Sequence, residues 1–434
     1  MELTGWGKYP VVDADVITPL THTAIKSSLL GDRPFRGIAR GLGRSYGDSS
    51  LARQVVSTAY LDHLLSFDDS TGRLTCAAGL SLAEIVRIFV PRGWFLPVTP
   101  GTKFVTLGGA IASDVHGKNH HCEGSFSDHV ESFRLMLADG STVNCSREDS
   151  PELFYATCGG MGLTGIIVDA TFRLKPIRSA YIDAITIKVV NLKEALELFE
   201  AYDQTTYSVA WIDCLTTGSK LGRSLLMLGE HAEDGRLLPA KQGALTVPMD
   251  MPGFLLNRYS IQAFNTLYYH RLWKKRTERI VHYEPFFYPL DSIHHWNRIY
   301  GKGGFTQYQF VVPREAGLTG MTTILNRIAQ SKRGSFLAVL KAFGKGNDNY
   351  LSFPMEGYTL TLDFKLDSGL FPLLDELDRI VLDLGGRLYL SKDVRMSEDT
   401  FKQSYPRWER FMEVRRRYGA NKVFNSLQSE RLGL

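Results

Sequence analysis

Cysteine is scarce, with five residues in a chain of 434. Cys76, Cys122, Cys145, Cys158 and Cys214 are odd in number and form no C-x-x-C pair, which argues against a disulfide framework and supplies no zinc-ligand spacing; no metal site is expected, and a reducing compartment fits. Net charge is also small. The 50 Lys and Arg residues against 46 Asp and Glu leave +4, too little to argue for nucleic acid as a partner. Long apolar runs, internal repeats and low-complexity tracts are absent. The first residues, MELTGWGKYPVVDADV, have no basic stretch followed by an apolar one, so neither a signal peptide nor a transmembrane helix is expected. The expectation is a cytoplasmic protein, or one peripheral to a membrane. The 44% of hydrophobic residues is enough to fill two cores.

Glycine, by contrast, is concentrated where it means something. TPGTKFVTLGGAIASDVHGKNHH, Thr99 to His121, sets Gly101, Gly108 and Gly109 just before His116, Lys118, His120 and His121. Without a Cβ, backbone N–H groups can approach anionic oxygens closely, and nearby basic groups reinforce that preference. A second loop of this kind, RGLGRSYGD, spans Arg40 to Asp48. Its glycines, Gly41, Gly43 and Gly47, are one residue too widely spaced for G-x-G-x-x-G, so a Rossmann fingerprint is not indicated. One such loop is common in proteins; a pair suggests an anionic cofactor.

Periodicity divides the chain. Up to about residue 175, short helices and strands alternate: SLAEIVRIF reads as a helix entered at Ser81 with Glu84 three residues on, Pro151 opens another, and GIIVDATFRL is a strand. Beyond it, Tyr207 to Leu215, Phe305 to Val312 and Tyr358 to Leu366 read as period-two strands, with amphipathic helices over Leu192 to Tyr202 and Leu370 to Gly385. The fold class is α+β, with an antiparallel sheet covered by helices on one face. In FTQYQFVV, alternation puts Gln307 and Gln309 on one side, a surface suited to hydroxyl-rich ligands unless it faces solvent; Thr359, Thr361 and Asp363 share a side likewise.

The order of these segments resembles the vanillyl-alcohol-oxidase flavoprotein family, whose PCMH-type FAD domain carries two pyrophosphate-cradling loops. The likeness runs through RGLGRSYGD, CAAGLSLAEIVRIFVPRGWFLPVTPGT, FSDHVESFRLMLADGSTV and SPELFYATCGGMGLTGIIVDATFRL. HGKNHH, GGMGLTGII and GGRLYLSKD are most similar to the branch of flavin oxidase subunits acting in decaprenylphosphoryl-β-D-ribose 2′-epimerisation. The resemblance implies an FAD-binding domain over 1–175, a substrate domain over 176–394 and a segment over 395–434 that returns to the FAD domain. It implies that Arg40, Gly41, Leu42, Gly43, Arg44, Ser45, Tyr46, Gly47 and Asp48 surround the cofactor, together with Gly101, Thr106, Leu107, Gly108, Gly109, Ser113, His116, Gly165, Ile167 and Tyr389. Relatives that hold FAD covalently use a histidine where this chain has Arg44, so non-covalent FAD is implied.

The same resemblance implies a substrate, a polyprenylphosphoryl ribose oxidised at its 2′-hydroxyl, and a partner, an NAD(P)H-dependent short-chain reductase acting on the keto sugar. Lys118, Trp211, Gln307, Gln309, Thr359, Thr361 and Lys392 would line the sugar site, and Thr361 stands where many relatives carry cysteine. Lys392 and His116 are the catalytic candidates, either of them a possible base. Alternation sends Tyr389 and Lys392 to opposite faces, so their joint use requires the strand to end or bulge near Ser391. The basic, aromatic run HRLWKKRTER, His270 to Arg279, suits either a peripheral membrane contact or a solvated helix. Two other readings compete with the lipid-linked substrate: a soluble sugar-alcohol or aldonolactone oxidase of the same fold, and a flavin-binding scaffold without catalysis.

Overall fold

A computed structural model describes residues 1–31, 33–238 and 245–434. Besides two short two-stranded pairs, the described residues of the N-terminal part form two larger sheets. A parallel one orders Asp15–Ile17, Gln54–Ser57 and Ile38–Arg40; an antiparallel one orders Thr142–Ser146, Val130–Met136, Ile166–Arg173, Arg73–Ala77 and Leu64–Asp68. The expected helix starts are present, set by local chemistry. Ser81 accepts from the Glu84 N–H at 3.1 Å to cap Leu82–Phe89, whereas the Glu84 carboxylate turns to Arg87 instead of completing a capping box. Pro151 occupies the first turn of Pro151–Thr157, where its missing N–H costs nothing.

Between Pro176 and Tyr181 the chain changes sheet. An eight-stranded sheet follows in the order Arg276–His282, Tyr181–Val189, Ser224–His231, Tyr207–Ile212, Ala338–Phe343, Gly357–Lys365, Phe305–Val312 and Arg387–Leu388, antiparallel throughout. Helices Leu192–Ala201, Gly317–Ser331 and Leu370–Asp383 cover one face; Tyr308, for instance, points into that layer and donates to Asp378 at 3.0 Å. The opposite face turns toward the N-terminal part, so all eight residues of Phe305–Val312 are buried and the solvent-facing alternative for its glutamines does not hold. A further helix, Arg258–His270, sits on this second face near Trp211 and Leu225. It ends where the basic run begins, and that run passes through a turn into the edge strand Arg276–His282 instead of forming a helix.

The last residues lie against the N-terminal sheets. Gly37 bridges Phe424, the Leu427 N–H reaches the Leu51 carbonyl at 2.8 Å, and Arg431 pairs with both Asp48 and Asp393. Among the described residues no helix is long and apolar enough to cross a membrane.

Candidate active site

A cavity of about 400 Å³ separates the N-terminal part from the open face of the large sheet. Its floor is the first glycine loop. The N–H groups of Gly41, Leu42, Gly43, Arg44 and Ser45 meet no acceptor among the described residues, leaving a cluster of donors that only a bound group or water can satisfy. Gly43 takes φ +62°, and a Cβ there would lie 2.1 Å from the Arg40 guanidinium, which is itself held on the Thr4 carbonyl at 2.7 Å. At Gly41 a Cβ would stand 2.3 Å from Thr106 Oγ1, so glycine is what lets the two loops meet.

The second loop also lines the cavity, through Gly108 and Gly109 among others, but with fewer unfilled donors. The N–H of Leu107 donates to Leu80, that of Gly108 to Ala78 and that of Gly109 to the Thr106 hydroxyl, so these donors are already occupied. Gly108 is needed for packing, because a Cβ would meet the Ala78 Cβ at 3.0 Å. Leu107 is fully buried and outside the cavity lining, as are Gly47, packed on the Asp393 carbonyl, and Asp48, paired with Arg431. Gly101, Thr106, Ser113, Gly165 and Ile167 do line the cavity. So does Arg44, whose guanidinium lies 4.1 Å from the Trp6 ring centroid, whereas Cys122 does not.

At the sheet end, direct pairing puts Gln309, Thr361, Val339 and Trp211 in one transverse row across four strands, with Gln307 opposite Asp363 beside it. Gln307 donates to Asp363, which also lies 3.5 Å from the Tyr300 hydroxyl; burial raises the Asp363 carboxyl to about 7. Thr359 is fully buried behind this surface, 3.3 Å from the Gln309 amide, and does not reach the cavity. Trp211 donates to the Phe336 carbonyl at 2.9 Å.

The tension over Tyr389 and Lys392 is resolved by the backbone. The strand ends at Leu388, and a single 3-10 turn closed by the Lys392 N–H on the Tyr389 carbonyl, 3.0 Å, brings both side chains to the cavity. The Tyr389 hydroxyl donates to the Ser113 carbonyl at 3.0 Å. Lys392 Nζ lies 4.1 Å from the Tyr46 ring centroid and has no hydrogen-bond partner among the described residues. Burial pushes its pKa down to about 8, with Asp363 opposing.

His116 is buried between two groups: the Gln309 amide is 3.1 Å from Nε2 and Lys341 Nζ 3.1 Å from Nδ1. Desolvation, then Lys341, His120 and Lys392, hold its pKa well below the ordinary value, so it is neutral at working pH. Lys341 was missed by the sequence reading. The available signal is a lone lysine in the apolar strand AVLKAF, in alternation with the cavity-lining Val339. Burial lowers its pKa to about 7, and that of Lys118 likewise to about 7. Lys118 donates to the Phe286 carbonyl with its ammonium 4.4 Å from that ring centroid, so its expected phosphate contact competes with a partner inside the protein. Three lysines thus converge on the cavity, with Asp363 behind Gln307 and Asp291, which accepts from the Lys103 N–H at 2.9 Å, in the cavity lining.

Unfilled backbone donors at one end, an aromatic and cationic wall at the other, and glycines that keep the walls apart define a site for an elongated, diphosphate-bearing redox cofactor. Sequence comparison gives the same class: residues 28–146 match the family described as FAD binding domain. Across its whole length the chain is 38% identical to decaprenylphosphoryl-beta-D-ribose oxidase of Mycolicibacterium smegmatis, covering 97% of that protein. It is 32% identical over 82% of its length to an uncharacterised protein of Streptomyces coelicolor from the mprA 5′ region, all of which is covered. A putative D-arabinono-1,4-lactone oxidase of Neurospora crassa is 30% identical over 31% of the chain and 24% of its own length. The chain belongs to the FAD-dependent oxidoreductase family that includes decaprenylphosphoryl-beta-D-ribose oxidase.

Proposed function

We propose that this chain oxidises the 2′-hydroxyl of a polyprenylphosphoryl-β-D-ribose to the 2′-keto sugar, the first half of an epimerisation to arabinose. An NAD(P)H-dependent short-chain reductase would complete it, and a lipid-linked substrate would bring the chain into peripheral contact with a membrane. The observation that carries this reading is the convergence of Lys118, Lys341 and Lys392 on a surface of glutamines and a threonine. Buried amines that titrate at about 7 to 8 favour a ligand that brings negative charge, and paired amides beside them suit the hydroxyls of a sugar that bears a phosphate. A neutral lactone or free sugar alcohol leaves those charges uncompensated, which disfavours the soluble-substrate alternative.

FAD, when bound, supplies the two-electron acceptor for the carbinol C–H bond. The protein's residues do the rest. The N–H groups of Gly41 to Ser45 hold the diphosphate, and Tyr389 and Tyr46 wall the reacting end. Gln307 and Gln309 orient the ribose hydroxyls. His116, neutral with its proton on Nδ1 and donated to the uncharged amine of Lys341, which burial brings to about 7, takes the hydroxyl proton at Nε2 once substrate displaces the Gln309 amide. Lys392 stays cationic below about pH 8 and offers positive charge where reduction accumulates negative charge.

The decisive experiment is anaerobic addition of farnesylphosphoryl ribose to the purified yellow holoprotein. Loss of the absorption near 450 nm, roughly, is expected within turnover time, with no loss on adding free lactones or sugar alcohols. Bleaching by the lactone and not by the lipid phosphate would replace the reading with the soluble-oxidase one. No bleaching by any of them would favour a scaffold without catalysis.

A further inference from the structure

The helix Arg258–His270 is amphipathic in an unusual sense. It buries Ile261, Asn265 and Tyr269 against the sheet, yet its outward side is also apolar: Tyr259 is 77% exposed and Leu267 73%. Positions 259, 263 and 267 follow at i, i+4, so these side chains form one stripe facing away from the protein. The surface continues in Phe254, 75% exposed, before the helix and in Trp273, 98% exposed, after it. Large apolar side chains gathered this way mark a surface that something covers.

Charge narrows what covers it. From Pro252 to Thr277 there is no Asp or Glu, while Arg258, Arg271, Lys274, Lys275 and Arg276 all occur. Arg258 and Lys274 enter no ion pair among the described residues, Arg271 stacks on Tyr268, and Lys275 and Arg276 reach Glu194 and Glu278. A second copy of the chain docked through a two-fold contact would set these cations against their own images. Position matters too. Tyr268 lines the cavity from this helix, and Leu256, just before it, packs with Trp296 and Phe336 at the cavity's edge.

We propose that the Phe254–Arg276 segment seats the protein on an anionic lipid bilayer, with Phe254, Tyr259, Leu267 and Trp273 entering the boundary between headgroups and acyl chains. The free basic residues meet lipid phosphates, and the cavity mouth faces the membrane, so that a polyprenyl tail stays in lipid while its sugar enters the site. The inference rests on the lipid-linked substrate proposed above.

The test is flotation of the holoenzyme with vesicles of phosphatidylcholine alone or mixed with phosphatidylglycerol. Binding to the mixed vesicles is expected, weakening as salt rises. The variant F254S/L267S/W273S should partition at least about tenfold less, and R258E or K274E about fivefold less each. All should retain FAD and turn over a short-chain, water-soluble phosphoryl ribose at the unaltered rate. Failure of the unaltered holoenzyme to float, or equal flotation of the triple variant, overturns the proposal. So does a concentration-dependent dimer, seen by light scattering, that the same substitutions disperse. Flotation without turnover of the short-chain substrate would instead remove the substrate assignment and leave the docking surface standing.

Discussion

The two ends of the cavity are lined by opposite means. At the first glycine loop the donors are backbone N–H groups from Gly41 to Ser45, and what matters there is the absence of side chain. At the sheet end side chains line the cavity instead: the Gln309, Thr361, Val339 and Trp211 row, with Lys341, Lys392 and His116 around it. Backbone donors cannot be tuned by substitution except by blocking them, which suits an invariant diphosphate. Side chains can be exchanged one at a time, which suits a substrate and a reaction. Damage at the first end should therefore remove the cofactor, and damage at the second should leave it bound and slow the chemistry.

The sharpest way to break that contrast is Gly41→Val. Its Cβ would lie 2.3 Å from Thr106 Oγ1, forcing the loops apart and scattering the donors. FAD affinity should fall about 100-fold, read by fluorescence titration of the apoprotein with FAD. Unchanged affinity would mean that the first loop does not hold the diphosphate. At the other end, Lys392→Met should keep FAD while slowing anaerobic flavin reduction by about 100-fold or more, measured by stopped flow. Because the Lys392 pKa is lowered to about 8, the unaltered enzyme should lose rate as pH rises through that value. Lys392→Arg, cationic throughout, should flatten this alkaline limb even if its maximal rate is lower. His116→Ala should cost about 10- to 100-fold in the same reduction step with FAD retained. With the His116 pKa held well below its ordinary value, no acid limb near pH 6 to 7 should arise from this histidine.

Alternation made the sheet end partly legible in sequence. Period two alone put Gln307 and Gln309 on one side, and the structure turns that side to the cavity because helix Leu370–Asp383 covers the other. Lys392 needed more, since strict alternation contradicts its pairing with Tyr389; the contradiction itself located the turn at Leu390–Lys392. Lys341 was not legible, because one lysine in a short apolar strand looks like any edge residue until its neighbours are placed. The glycine-loop end was legible as a pair but not in its division of labour. Nothing in TLGGAIA indicates that the carbonyls of Leu80 and Ala78, from a separate segment, already occupy the donors of Leu107 and Gly108.

The smallest effect tests the charge imbalance itself. Lys118 and Lys341, held near 7, and Lys392, near 8, lie below the ordinary lysine value of 10.5, so between those limits the unfolded chain binds more protons than the folded one. Stability of the apoprotein must then rise with pH across that interval. Asp363 acts in the other sense lower down. Its carboxyl is raised from 3.8 to about 7, so the folded chain holds the extra proton and stability falls as pH rises over that range. Histidines held low by burial, His120 at about 3 and His231 at about 4, oppose that fall below neutrality, so the lysine slope stands clear above about pH 7 and gives the apoprotein a Tm several degrees higher at about pH 9 than at about pH 7. Lys341→Met should shrink the upper slope by removing one of the three contributions, and inorganic pyrophosphate should raise Tm more at pH 7 than at pH 9, since the ammonium groups it compensates are charged only at the lower value. A differential scanning series on the apoprotein reads all of this; a Tm that falls between pH 7 and 9 would mean that these lysines keep their full hydration, and with it would go the argument that the cavity demands an anion.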